Sequence, residues 1–353
     1  MQVDELLKLM VDKGASDLHL MVSSPPVLRI NGKLMLLEDL AALSSKDMES
    51  AFEQVSNQEQ RTAFGKKREL DFPYSTPGLA RFRVNALQQR GTISLVFHIV
   101  PSKVPSIDEL GLPEICKQLI LKPRGLILVT GAAGSGKSTT LAAMINHLNE
   151  TERRNVITVE DPIEFLFRNK KCLIRQRDLG DDTASFSSAL MHALRHDPDV
   201  IVIGEMRDLP TISTAMRAAE TGHLVIGTLH SNDAAQSIDR IIDMFPFGQQ
   251  RQMRLQLSQV IEAVLSQVLL TRIGGGRIAA FEIMLGTSII RRQIREEKVH
   301  EILSNIEQGK PEGMQSLDQA LADLVRRNVI TEEEALIKSG HPERLRRYLQ
   351  SER

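Results

Sequence analysis

Leu126-Ile127-Leu128-Val129-Thr130-Gly131-Ala132-Ala133-Gly134-Ser135-Gly136-Lys137-Ser138-Thr139 is the stretch whose reading decides the fold. Four apolar residues in a row, a glycine-rich interval, and then Leu141, Met144, Ile145 and Leu148 on one helical face read as strand, loop and helix. Residues 131–138 have the spacing Gly-x-x-x-x-Gly-Lys-Ser, in the context a phosphate loop requires. Glycines let backbone N–H groups turn inward around a phosphate, and the helix N-terminus adds partial positive charge. Gly131, Ala132, Ala133, Gly134, Ser135, Gly136, Lys137, Ser138 and Thr139 are therefore the expected ATP-binding residues. In that role Lys137 reaches the β- and γ-phosphates and Ser138 ligates Mg²⁺.

Downstream the pattern keeps alternating. Strands are expected at 155–160, 200–203 and 224–228, with helices from Lys137, around 185–195 and at 209–220. Short continuous apolar runs separated by helices predict a mainly parallel sheet covered on both faces, an α/β fold. Past residue 249 the pattern reads as mostly helical. Val200-Ile201-Val202-Ile203 leads into Gly204-Glu205, which sets a carboxylate at the C-terminal edge of the sheet, where ligands of open α/β folds bind. Glu205 is thus the candidate second metal ligand, standing where an Asp is more usual. Glu160, Asp161 and Glu164 follow another strand, and one of them is expected to orient or deprotonate the attacking water. Pro162 makes that segment a turn. His223 and His230 flank the strand at 224–228 and are candidates for the same site.

Upstream, Val3, Leu6, Leu7 and Met10 draw one apolar helical stripe. Asn31-Gly32 between two short apolar runs predicts a two-residue hairpin. From Arg81 the chain alternates Arg81, Phe82, Arg83, Val84, so both arginines share one face of a strand. Residues 1–100 read as a small α+β domain, 101–112 with Pro101 and Pro105 as a linker, and 113–353 as the ATPase domain.

Composition narrows the classes that remain. The 45 acidic and 44 basic side chains nearly cancel, and zero Trp with two Tyr offers few stacking platforms, so nucleic acid is not an expected partner. Two cysteines, Cys116 and Cys172, are too few for a disulfide framework and point to a reducing cytoplasm. Charged residues interrupt the first apolar stretch, as no signal peptide allows, and no run approaches 18 apolar residues, so membrane association is expected to be peripheral.

Several longer blocks carry a resemblance. They are Ala15-Ser16-Asp17-Leu18-His19-Leu20, the phosphate loop, residues 157–165, residues 197–208, residues 221–230, Gly274-Gly275-Gly276-Arg277, and residues 313–318. In them the chain resembles the secretion ATPases of the type II/type IV pilus class, and within it the pilus-retraction motors. The resemblance spans nearly the whole sequence. It implies a PAS-like N-terminal α+β domain, then a RecA-like P-loop ATPase domain with a helical C-terminal part. It further implies a homohexamer that hydrolyses ATP at the cytoplasmic face of the inner membrane, acts on the pilus platform protein there, and so moves the pilus filament indirectly. Carried over by residue, Glu164 is the catalytic glutamate, Glu205 the Walker B acid, His223 and His230 the histidine box, and Arg81 and Arg83 the arginines sent toward nucleotide. One departure is Phe97-His98, where such motors usually carry Phe-Arg.

Three alternatives stand beside a retraction motor: an accessory retraction ATPase, a nucleic-acid-dependent RecA-like ATPase, and a nucleotide-gated module with negligible turnover. The extension ATPase of the same machine is disfavoured because the chain is short and lacks cysteines for a zinc site. Residues 289–296 resemble the short C-terminal motif that retraction motors need for movement. There Ile290 and Ile294 form a narrow stripe, Arg291 and Arg295 a second row, and Thr287 or Ser288 a helix cap. That helix is expected to transmit the nucleotide state outward, so that Ile294→Ala or Arg295→Ala leaves a soluble ATP-binding hexamer unable to retract pili.

Overall fold

A computed structural model describes residues 2–30, 32–101 and 103–350. They form two compact units, Met1–Lys103 with Glu164–Leu166, and Val104–Ile163 with Phe167–Arg353.

The first unit holds strands β1 (Asp17–Leu20), β2 (Val27–Ile30), β3 (Lys33–Leu36), β4 (Glu69–Thr76), β5 (Ala80–Gln89) and β6 (Thr92–Val100). Every neighbouring pair is antiparallel, in the order β3-β2-β1-β6-β5-β4. One face of this sheet is apolar because alternate residues of β5, namely Phe82, Val84 and Ala86, point to it, as do Leu95 and Phe97 of β6. Leu18, Leu20, Leu28 and Phe72 of the other strands join that core, and helices Val3–Asp12, Ser45–Val55 and Gln58–Lys67 pack onto it. The first of them buries Val3, Leu6, Leu7 and Met10, the stripe its spacing predicts. Phe52 and Phe64 pack with tilted rings, their centroids 4.7 Å apart. Ile30 pairs with Lys33 around the expected hairpin, whose Asn31 lies outside the described residues, as does Ser102 of the expected linker.

The second unit continues with β7 (Gly125–Thr130), β8 (Asn155–Glu160), β9 (Leu173–Asp178), β10 (Val200–Ile203), β11 (Leu224–Leu229), β12 (Ile261–Thr271) and β13 (Arg277–Leu285). Their order is β13-β12-β7-β11-β10-β8-β9, parallel from β12 to β9, with β13 antiparallel on the edge. Both faces are covered, which is why the strands read as unbroken apolar runs. In β7, Leu126 and Leu128 enter one core and Ile127 and Val129 the other. Ile107 belongs to the second of these cores, with Leu110 and Leu112 packed beside it. Among the described residues no helix is long and apolar enough to cross a membrane.

Three strands depart from the expected pattern. The stretch past residue 249 contains β12 and β13 before it turns helical from Ser288 onward. An eleven-residue strand buried on both faces has no period of two, and its length is that of a helix. β9 is a polar edge strand, Leu-Ile-Arg-Gln-Arg-Asp, with too few apolar residues to register.

Candidate active site

Residue by residue, the second unit builds a site at the C-terminal edge of its parallel sheet. β7 ends at Thr130 and the helix Lys137–Thr151 begins at Lys137, so residues 131–136 form the whole connection. Gly131 is required there, since a Cβ on it would lie 2.4 Å from the carbonyl oxygen of Gln267. No side chain caps this helix, which leaves its leading N–H groups to a ligand. The Lys137 ammonium folds back over the loop and donates to the carbonyls of Gly131 at 2.9 Å and Ala132 at 3.0 Å.

On the same edge, Glu205 follows β10. Its Oε1 lies 3.2 Å from His230 Nε2, and its Oε2 accepts from Arg207 Nη2 at 2.5 Å. His230 comes straight after β11, whose Leu229 pairs in register with Thr130 at the end of β7. Sheet register therefore brings Glu205 and His230 to the edge from which the loop departs. The backbone here is stitched across strands: the Thr228 hydroxyl donates to the Gly204 carbonyl, Met206 N–H to the Thr228 carbonyl at 3.0 Å, and Gly204 N–H to Val159 at 2.7 Å. Burial of Glu205 works against its charge, but the hydrogen bond from Arg207 and the charges of His230 and Arg207 outweigh it, so the carboxyl sits below its ordinary range.

Two expected residues have different settings. Glu160 is tied into the sheet, its Oε1 accepting from Thr158 Oγ1 at 2.6 Å and from Gln176 Nε2 at 3.1 Å. His223 precedes β11 rather than following it, so the structure sets it on the opposite edge of the sheet from the loop. Its carbonyl accepts from Gly125 N–H at 3.0 Å, and its Nδ1 is 2.9 Å from the Ala218 carbonyl oxygen. A six-residue strand with one residue at each end separates the two histidines by about 20 Å. Within this unit, then, His230 joins the loop edge and His223 does not.

The remaining candidates lie in the first unit. Arg81 and Arg83 share the polar face of β5 opposite Phe82 and Val84, and Arg83 Nε is 3.6 Å from Asp71 Oδ1. His98 pairs in register with both Arg83 and Asp17, and its Nδ1 makes a close contact with Asp17 Oδ1. Asp17 Oδ2 also accepts from the Ser16 hydroxyl at 2.7 Å and pairs with Arg29 Nε at 3.3 Å. Burial opposes the Asp17 charge, but Ser16 and His98 together hold that carboxyl below its usual range. Glu164 is exposed, and its segment Glu164–Leu166 groups with this unit.

Arg207, Thr228 and Gln267 were not singled out by sequence reasoning. Arg207 carried a signal, standing two residues after Glu205 in a matching block. The other two have none, because their partners lie on other strands.

Comparison with known proteins bears on this arrangement. A family model described as Type II/IV secretion system protein matches residues 3–275. The chain is 48% identical over 343 residues to the Type IV pilus retractation ATPase PilT of Pseudomonas aeruginosa, covering 97% of this chain and 99% of that one. To the Type IV pilus ATPase PilU of the same organism it is 40% identical, over 98% of this chain and 91% of that one. A crystal structure of the pilus retraction motor PilT with bound ADP is similar at TM-score 0.92 and 43% identity, covering 98% of this chain and 99% of that one.

Proposed function

This chain belongs to the type II/IV secretion system protein family and is an ATPase, and from that premise we propose that it is the motor that powers type IV pilus retraction. The observation that carries the chemistry is the shared sheet edge of the phosphate loop and the Glu205–His230 pair. Similarity over nearly the full length of a retraction ATPase supports the mechanical role.

In this reading the amides of residues 131–139 and the Lys137 ammonium hold the β- and γ-phosphates of ATP. The Ser138 hydroxyl and the Glu205 carboxylate form an all-oxygen donor set suited to Mg²⁺, and Arg207 and His230 keep that carboxylate anionic. Held by Ser138 and Glu205, Mg²⁺ would supply positive charge against the phosphate groups during transfer. Glu164 orients and deprotonates the attacking water. Arg81 and Arg83 contribute positive charge to the transferring phosphoryl group of a neighbouring subunit in a homohexamer. The ring works in the cytoplasm at the inner face of the membrane, acting on the pilus platform protein. His223, at the other sheet edge, is left without a role in phosphate chemistry.

A second reading, an accessory retraction ATPase, is favoured by the 40% identity to PilU over 98% of the chain. The higher identity to PilT favours the primary motor. Deleting the gene in its host and scoring surface filaments tests the proposal: excess, unretracted pili support retraction, and bald cells sink it. Retention of retraction under load-free conditions with loss of force would favour the accessory reading.

A further inference from the structure

β12 outlasts its neighbour. Ser266 pairs with Thr130, the last residue of β7, and its hydroxyl accepts from the Thr130 hydroxyl at 2.8 Å. From Gln267 on, β12 runs beside the phosphate loop instead of beside a strand, held in place by β13 through the Gln267–Phe281 pairing. Gln267 is 1% exposed, and its Nε2 donates to the Ser135 carbonyl oxygen at 2.5 Å. Its backbone oxygen sets the 2.4 Å limit at Gly131, and Nε2 lies 3.2 Å from where a Cβ on Gly136 would sit. One residue thus approaches both glycines that bracket the loop, Gly131 with its backbone oxygen and Gly136 with its side chain, and bonds the Ser135 carbonyl between them.

We propose that Gln267 is a positioning residue for nucleotide binding: it fixes the Ser135–Gly136 peptide so that the Gly136 N–H faces bound phosphate. This rests on reading residues 131–139 as the nucleotide loop. In a trans peptide the C=O and the following N–H point in opposite directions across one rigid plane. Anchoring the Ser135 carbonyl to β12 therefore turns the Gly136 N–H away from β12. Gly136 has φ +91°, which glycine adopts freely, and the Gln267 anchor adds to the backbone bonds from Thr140 N–H to the Gly136 carbonyl and from Ser135 N–H to the Ala132 carbonyl. A second observation points to a ligand. The Ser135 hydroxyl is buried without a hydrogen-bond partner at this loop, and as a donor it can be satisfied by a phosphate oxygen. Asparagine is one methylene too short for the anchor, and an ionised glutamate offers an acceptor to an acceptor beside the phosphate site.

The test is ADP affinity with Mg²⁺, measured by calorimetry on the full chain, alongside thermal unfolding and ATP turnover. Gln267→Met keeps length and volume and loses the donor. It should bind ADP about tenfold more weakly, the scale of one well-placed hydrogen bond, with a Tm within a few degrees of the parent. Gln267→Glu has a sharper signature: its ADP affinity relative to the parent at the same pH should recover as pH falls, because a protonated carboxyl can again donate to Ser135, whereas the ratio of the Met variant to the parent should stay constant. Unchanged ADP affinity in both folded variants overturns the proposal. So does failure of both to fold, which would make Gln267 a core residue only. If the parent itself neither binds ADP nor hydrolyses ATP, the loop assignment fails first, and the Lys137→Ala control separates that outcome from failure of Gln267.

Discussion

His230 Nε2 lies 3.2 Å from Glu205 Oε1, two residues that follow neighbouring parallel strands and meet at the edge where the phosphate loop begins. With Arg207 on the other carboxylate oxygen, Glu205 is held charged by partners on both sides. A carboxylate so held is the one we propose as the cation ligand of the site.

Glu205→Gln should therefore lower turnover about 10²-fold or more while ADP binding changes only a few-fold. The amide keeps the volume and a hydrogen bond but loses the charge. Phosphate release under multiple turnover, with ADP titration, measures both. Because the Glu205 pKa is depressed in the folded chain, its pairing stabilises above the ordinary carboxylate pKa of 4.5 and is lost as pH falls through the lower folded value. Activity lost at pH 6 would thus come from other groups.

Glu164 and Glu160 can be separated by experiment. Glu160 is already committed to Thr158 and Gln176, so Glu160→Gln should cost about 1 kcal/mol of stability and leave most of the turnover. Glu164 is exposed, and Glu164→Gln should retain ATP while turnover drops about 10²-fold or more. The reverse ranking would assign the base to Glu160.

Glu282 predicts a pH dependence of stability. It is 5% exposed on β13, accepts from the Ala234 N–H at 2.8 Å where the helix Ala234–Asp243 starts, and burial pushes its carboxyl from 4.5 to about 7. The folded state binds this proton more tightly than the unfolded state, so the stabilisation is full below the unfolded pKa and is lost as pH rises through about 7. Glu282→Gln removes the titration. In urea unfolding, the variant should gain on the parent between pH 5 and pH 8, by up to about 3 kcal/mol. A gap that stays constant across that range would mean an ordinary carboxylate.

These sites divide by how local their signal is. Residues 131–139 were legible because loop, strand and helix are consecutive in the chain and each leaves its own mark. The Val3, Leu6, Leu7, Met10 stripe and the Arg81, Arg83 face were legible because a period states which side is buried. By contrast, the Gln267–Ser135 bond spans 132 residues and sits in a strand whose uniform burial erased its period. His223 and His230 look alike as flanks of one strand. Only the polarity of the sheet tells which of them stands at the loop edge.

The helix Ser288–Arg295 shows how the same distinction reshapes a prediction. Its Thr287 cap accepts from the Ile290 N–H at 3.3 Å, as the sequence suggests. Ile290 and Ile294, however, are both fully buried in the main core of the second unit, so the apolar stripe is a packing face. Arg291 turns inward too. It donates to the Gly286 carbonyl at 2.7 Å and the Ser258 carbonyl at 3.0 Å, and pairs with Glu262 at 2.6 Å, bracing the end of the helix Phe247–Val260. What remains outside is Ser288, Ile289, Arg292 and Arg295. Ile294→Ala should then cost about 2–5 kcal/mol through an unfilled cavity, so loss of retraction by that variant would not separate signal transmission from folding. Arg295→Ala and Ile289→Ala should stay within about 0.5 kcal/mol of the parent and bind ADP normally, yet fail to retract pili if this outer face passes the nucleotide state to a partner. Unfolding curves and ADP titration in vitro, paired with filament retraction in cells, give the answer. Normal retraction by both outer-face variants would reduce that face to a solvated surface and leave the segment a purely structural role, exercised through Ile290, Arg291 and Ile294.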